Sequence, residues 1–348
     1  MKAALILLAT GVVCADPVET PHTTADVFLS SPDFRFVASG SALYLQPSGS
    51  NLNYAAEAVP LPTPSPHWKI HNIDTDYHWG FDIELATFFH ATHSHLILNW
   101  EHFHSSDSSS KTVSSENMIG PFFEIGPDAL PYKKARGHVD FHFDEVELDY
   151  GIMLSLGDRL DAILYGGVRF ARIDQTLRSR FSSLDGTIVR TIKSPSTFRG
   201  AGPHLGVWVD YDIAKGFGIA GGAATALLVG PQTNHTFFKA ISPAQPAAGA
   251  PTPNIQSTHV PKKTQVIPGF EAQIGVSYSF SWDKSVLSLE AGYNVQLYLN
   301  AIQAIDIGSE VVTPPVTPDT IGVYARTFQT SLSNFALAGP YFMIELGF

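Results

Sequence analysis

Apolar and polar residues alternate one by one through most of this chain, and the 3.6-residue period of an amphipathic helix is hard to find. "HWGFDIELAT" sets Trp79, Phe81, Ile83 and Leu85 against Gly80, Asp82 and Glu84. "VELDYGI" sets Val146, Leu148, Tyr150 and Ile152 against Glu147, Asp149 and Gly151. "HLGVWVDYDI", "FEAQIGVSYSF" and "LSLEAGYNVQLYL" repeat the pattern. The closing "GPYFMIELGF" puts Phe342, Ile344, Leu346 and Phe348 on one side of an extended strand. Ten such segments are counted, at 34–46, 77–89, 94–104, 138–154, 160–177, 197–213, 216–230, 264–281, 285–300 and 332–348.

The links between them separate two architectures. After the second, fourth, sixth and eighth segments they are tight: "HATH", "SLGDR", "AKG" and "WDK". After the odd-numbered segments they are long and polar, as in "SSDSSSKTVSSENMIGPFFEIGPDALPYKKARG". A soluble sandwich has no reason to gather its long loops at one end, whereas an even-stranded barrel crossing a membrane has short periplasmic turns and long outer loops. The expectation is an all-β chain forming a transmembrane antiparallel up-and-down β-barrel of about ten strands. Its greasy parity faces lipid, and closure pairs every backbone group that hydrocarbon would leave unsatisfied. Two local features qualify the pattern. Phe335 and Leu337 have the opposite parity from Phe342 and Ile344, so a bulge near Gly339-Pro340 is expected to restore the register. "SSLDGTIVR" carries an Asp185-Gly186 turn signal, so the fifth link should rise above the membrane as a hairpin.

The first residues, "MKAALILLATGVVCADPVET", place one lysine before an apolar run and Val13-Cys14-Ala15 before Asp16. That is the form of a secretory signal peptide over 1–15, leaving 16–348 as one barrel domain. A lipoprotein anchor through Cys14 is the lesser reading, because Val13 is bulky. Cleavage at Ala15 removes the single cysteine, so disulfide and thiolate chemistry drop out. The formal charge of −11 argues against a nucleic-acid partner. The location expected is the bacterial outer membrane, with lipid and lipopolysaccharide as surroundings, Phe348 as the mark read by the barrel-insertion machinery, and host or surface ligands met by the loops.

If one parity faces lipid, the other lines the lumen. It carries Asp82, Glu84, Glu101, Glu145, Glu147, Asp149, Asp210, Glu271, Glu290 and Glu345, with Arg169 as the base, and Asn99, Gln273, Asn294, Gln296 and Asn300 as polar filler. An acidic low-dielectric wall attracts cations and repels anions. Two interiors remain open: a conduit for small hydrophilic solutes or ions, or a narrow barrel plugged by acids paired with Arg169, Arg172 and Arg199.

Three constellations could carry chemistry. "GFGIAG" (Gly216, Gly218, Gly221) matches a dinucleotide fingerprint but opens a strand after a tight turn, so no cofactor is expected. His90, His93, His95, His102 and His104 have metal-like spacing but fall at opposite ends of two strands, so no metal is expected either. His138, Asp140, His142 and Asp144 share one face of the fourth segment, where an acid–base pair could activate water as in omptin-type rim proteases. The matching carboxylate pair on a neighbouring rim is not found, and the chain reads as a non-enzyme. An adhesin or structural envelope barrel is the runner-up to the pore.

Several stretches resemble a known family. "SALYLQPSGSNLNYA", "LYGGVRFARI", "FRGAGPHLGVWVDYDIAKGFGIAGGAATALLVG" and "LSLEAGYNVQLYLNAIQ" are similar to the Legionella-type major outer-membrane proteins, which are pore-forming and porin-like. The resemblance implies a barrel pore in a Gram-negative-type outer membrane with exposed variable loops, and carries no catalytic residues. Cysteine cross-linking, known for some members, has no cysteine to use in this mature chain.

Overall fold

The computed structural model describes residues 34–59, 67–114, 117–121, 132–157, 159–184, 186, 189–214, 216–241, 254–282, 285–313 and 323–348. The signal peptide expected over 1–15 lies outside them.

Among the described residues fourteen strands follow in order: β1 Phe34–Gly49, β2 Asn53–Val59, β3 His67–Asn72, β4 His78–Phe89, β5 Ser94–Thr112, β6 Met118–Gly120, β7 Lys134–Ser155, β8 Leu160–Ser182, β9 Val189–Ala214, β10 Phe217–Ile241, β11 Asn254–His259, β12 Lys263–Trp282, β13 Ser285–Thr313 and β14 Val323–Gly347. Ten of them close a ring in the order β1-β4-β5-β7-β8-β9-β10-β12-β13-β14. All neighbours are antiparallel, and the seam pairs Val37 with Gly347 and continues to Gly49 opposite Phe335. These are the ten alternating segments of the sequence. β11 extends the wall above β12 by pairing with β10, while β2, β3 and β6, from the links after the first and third segments, form a small separate sheet.

The strands outrun the membrane on the long-link side. β7, β8, β9 and β10 have 22, 23, 26 and 25 residues, against about 10 for one tilted crossing. The β8–β9 hairpin stays paired up to Ser182 opposite Val189, with Gly186 at φ 71°. The turn signal at that link is therefore a hairpin standing above the lipid, as expected.

Alternation sorts the side chains between two solvents. Trp79, Ile83, Leu98, Leu148, Tyr150, Ile274 and Phe342 are exposed on the outer surface of the wall. Tyr44, packed on Tyr77 and Trp79 at 5.3 and 4.8 Å between ring centroids, belongs to the upper aromatic girdle. Phe36, Phe217, Phe280 and Phe348 stand exposed near the tight-turn end, and two such girdles are the mark of bilayer interfaces.

The inward parity changes character along the axis. Just above the acids it is apolar: Phe103, Phe141, Phe143, Phe198, Tyr298 and Phe335 are fully buried and belong to one cluster with Leu43, Leu45, Leu228 and Ile267, and beyond them buried polar residues such as Asp107, Gln175, Gln232 and Asn234 return. The loop sheet adds Leu52, Tyr54 and Ile119 to the same cluster. Tyr54 lies on Gly137, where a Cβ would come within 2.5 Å of its ring, so only glycine lets β2 seat there.

Three expectations are corrected by this arrangement of the inner and outer parity. No bulge occurs at Gly339-Pro340: β13 pairs every residue of β14 from Phe335 to Gly347, and β1 keeps one register over the same stretch, although Gly339 and Pro340 themselves drop out of its ladder. Phe335 and Leu337 point inward because the lumen layer they enter is a hydrophobic cluster, so their parity needs no restoring. The irregularity falls instead on β13, between Tyr298 and Ile302. There Asn300, expected in the lumen, is exposed at φ 59°, a left-handed conformation that asparagine tolerates better than most residues. Arg172 and Arg199 are also outside: they share the outward parity of Val168, Phe170 and Leu205, so neither plugs the lumen.

Candidate functional site

Below the aromatic layer, the inward parity of nearly every barrel strand contributes a polar side chain. Asp82 and Glu84 come from β4, Glu101 from β5, Glu145, Glu147 and Asp149 from β7, Asp210 from β9, Glu271 from β12 and Glu290 from β13, and all nine line one cavity of about 270 Å³. Glu345 of β14 joins them, as do Asp161 and Asp212. Among the lining residues there is no lysine or arginine. The cavity runs toward the tight-turn end, where Asp161, Asp212, Ser279 and Ser288 line it.

Carboxylates face carboxylates across the ladder. Asp82 is directly opposite Glu101, and Glu101 is directly opposite Glu145; Asp161 is opposite Asp210. Like charges in directly opposed positions repel and weaken a sheet. Glu101 accepts from the Gln296 amide at 2.6 Å through Oε2, while its Oε1 is buried without a hydrogen-bond partner. Asp82 accepts from Asn99 at 2.6 Å.

Arg169 closes the cavity on the aromatic side. Its guanidinium is fully buried, donates to Glu147, meets Glu145 at 3.2 Å and donates to Glu271 at 2.8 Å. Another N–H donates to His204 Nε2 at 2.9 Å. That leaves the proton of His204 on Nδ1, from which it donates to Asp149 at 3.0 Å. Tyr298, within the aromatic layer, donates to Glu145 and accepts from Arg169 at 3.2 Å. The network thus joins the acidic cavity to the underside of the apolar layer.

The structure brings the ten acids expected in the lumen to this one region, with Arg169 as its roof, while Asn300 stays outside. Sequence reasoning missed Asp161, His204 and Asp212. The signal was present: Asp161 has the parity of Arg169 on β8, and His204 and Asp212 have that of Asp210 on β9. The other constellations do not assemble as chemistry in the lumen. "GFGIAG" opens strand β10, with Gly216 at φ 84° in the turn before it, and the helix a dinucleotide site needs is absent among the described residues. His90 and His93 lie at a single helical turn, whereas His95 is buried against Phe88 at 4.8 Å. His138, Asp140, His142 and Asp144 face outward from β7, beside the wall and away from its mouth.

A family profile described as Legionella pneumophila major outer membrane protein precursor matches residues 31–348. The chain belongs to that family. The Legionella major outer membrane proteins thus supply the address that the greasy exterior requires, the bacterial outer membrane, with its lipid and lipopolysaccharide as neighbours. No curated protein matches the sequence. Similar solved structures include the outer membrane protease OmpT from Escherichia coli, at 9% identity over 92% of this chain and 99% of that chain, with a TM-score of 0.41. The Pseudomonas putida toluene transporter TodX is 7% identical over 95% and 92%, at 0.30. A Pseudomonas aeruginosa FadL homologue is 9% identical over 94% of each chain, at 0.24. These likenesses are too loose to bear on reaction or cargo.

Proposed function

We propose that this family member is a cation-selective outer-membrane channel of small conductance, in which the acidic cavity is the vestibule and the aromatic layer above Arg169 the constriction. The observation that carries this reading is the direct opposition of Asp82, Glu101 and Glu145 around a cavity whose lining holds neither lysine nor arginine. Arg169 offsets part of their repulsion from its side of Glu145, and mobile cations that enter the lumen relieve the rest, while the same field excludes anions. Small hydrophilic cations are the solutes, passing when the side chains of the layer move aside. The chain acts without a cofactor and without catalysis. Phe348, exposed at the end of β14 with its N–H donating to Phe36 at 3.0 Å, is the residue the insertion machinery reads. The long loops are the surface offered to host or other ligands.

Planar-bilayer recording with purified barrel tests the proposal. Stepwise currents are expected, with a reversal potential favouring cations that moves toward neutrality in Glu145→Gln/Glu147→Gln. Anion preference, or selectivity unmoved by the double substitution, refutes it. The packed aromatic layer favours a second reading, an envelope barrel with a closed lumen. Silence from both the wild type and Phe335→Ala would establish that alternative.

A further inference from the structure

A second cluster of titratable groups lies on the outside of the barrel, where β5 and β7 leave the apolar belt. Along β5 the outward side chains above Trp100 are His102 and His104, and along β7 above Val146 they are Asp144 and His142. The sequence separates these residues into two unrelated motifs. The ladder puts His102 directly opposite Asp144 and His104 directly opposite His142. Asp144 accepts from His102 Nδ1 at 2.8 Å through Oδ1 and from His142 Nε2 at 2.8 Å through Oδ2. One nitrogen of each imidazole and one carboxylate oxygen lie within 4.8 Å of one another. The rings of His102 and His142 are 5.2 Å apart, and that of His104 is 6.0 Å from His142.

We propose that His102, His142 and Asp144 form a binding site for a divalent transition-metal ion of the zinc type. Two imidazole nitrogens and one carboxylate oxygen are a donor set zinc takes, and bonds of 2.0–2.2 Å set tetrahedral ligand atoms about 3.3 Å apart. The three donors already lie within 4.8 Å of one another, so only a short approach remains. Their backbones are fixed by the β5–β7 ladder, so side-chain rotation alone completes the approach. The nitrogens that now donate to Asp144 become the ligands once their protons sit on the far ring nitrogens or leave. Water or His104 fills the fourth position.

Competition from the nearest cation is absent. Arg172 is directly opposite Asp144 on β8, but its guanidinium turns to Asp174 at 2.6 Å. His102, His142 and Asp144 each keep about a third of their side-chain surface open, at 30%, 35% and 29%, so an ion can arrive from the aqueous side. Calcium and magnesium prefer all-oxygen sites and are poor occupants here. An ion so held would join β5 to β7 across the wall, independently of anything the lumen does.

The test is calorimetric titration of zinc chloride into untagged, lipopolysaccharide-free barrel in detergent after chelator treatment. Saturable binding at one site per barrel is expected, weakened on the order of tenfold or more in His142→Ala and in Asp144→Asn. His138→Ala, whose imidazole pairs with Asp140 at 3.1 Å further up the same face, should bind as the wild type does. Calcium chloride should give no saturable heat at this site. Zinc should also raise the temperature at which the compact barrel loses its fast electrophoretic migration, in the wild type and His138→Ala but not in His142→Ala. All three variants alter half-buried positions on the outer wall, and the same migration shows that they fold. Absence of saturable zinc heat, or binding that survives both His142→Ala and Asp144→Asn unchanged, overturns the proposal.

Discussion

Truncating Phe335 distinguishes a lumen packed like a protein core from one merely lined by side chains. Phe335 has no exposed surface and its ring lies 5.6 Å from Phe141, 5.7 Å from Phe143 and 6.3 Å from Tyr298. Phe335→Ala removes the transfer free energy of the ring and leaves a void that strands fixed by hydrogen bonds cannot collapse. A phenylalanine-to-alanine change in such a site costs about 3–5 kcal/mol. Phe342→Ala, seven residues further along β14 on the lipid-facing side, is the matched control. Lipid chains flow into the space it vacates, so the transfer contribution alone remains, about 1–2 kcal/mol. The difference of about 2 kcal/mol is the cavity contribution expected for a void of roughly 80–100 Å³. Reversible urea unfolding of the barrel in bilayer vesicles, followed by tryptophan fluorescence, measures both variants against the wild type, provided the slopes agree. If Phe342→Ala costs as much as Phe335→Ala or more, Phe335 faces lipid. The unbroken register of β14 and the closed outer lumen would then both be wrong.

Arg169→Met should destabilise the barrel by about 3–5 kcal/mol in the same assay, because Glu145, Glu147 and Glu271 lose the cation they share. Adding Glu145→Gln and Glu147→Gln to that variant should recover much of the loss, and failure to do so would show that the cost lies in packing. In the loop sheet, Glu57 has its pKa held below the ordinary carboxylate value. Burial alone would raise it, and hydrogen bonds from His71 at 2.9 Å and Asn117 at 2.9 Å, with the charges of Lys111 and His71, outweigh that. A depressed carboxyl stabilises the folded sheet above its unfolded value of about 4.3, and the contribution fades as pH falls through the lower folded value. Amide exchange of β2 and β3 should therefore accelerate only under such acid conditions, and Glu57→Gln should abolish that step; an unchanged acid step in the variant would refute the pairing. Gly137→Ala should raise β2 exchange at neutral pH by displacing Tyr54, and normal protection would show that the sheet seats elsewhere.

The alternation of single residues was enough to specify ten strands, their antiparallel closure and which parity meets lipid. A strand has only two faces, and hydrocarbon tolerates only one kind of side chain and no unpaired backbone. The ten lining acids followed from the same parity, because one charged side chain per turn of the zigzag is visible without knowing its neighbours. What alternation could not reveal was which inward residues meet across the barrel. Phe141 on β7 and Phe335 on β14 are far apart in the chain, and only closure packs them into the layer that caps the lumen. Read locally, Phe335 and Leu337 looked misplaced, since an apolar residue on the inner parity has a reason to be there only if the far wall is apolar too. The outer face teaches the same lesson. His102 and His142 belong to different motifs along the chain, and it is the register of β5 against β7, set by hydrogen bonds over nineteen residue pairs, that brings both to Asp144.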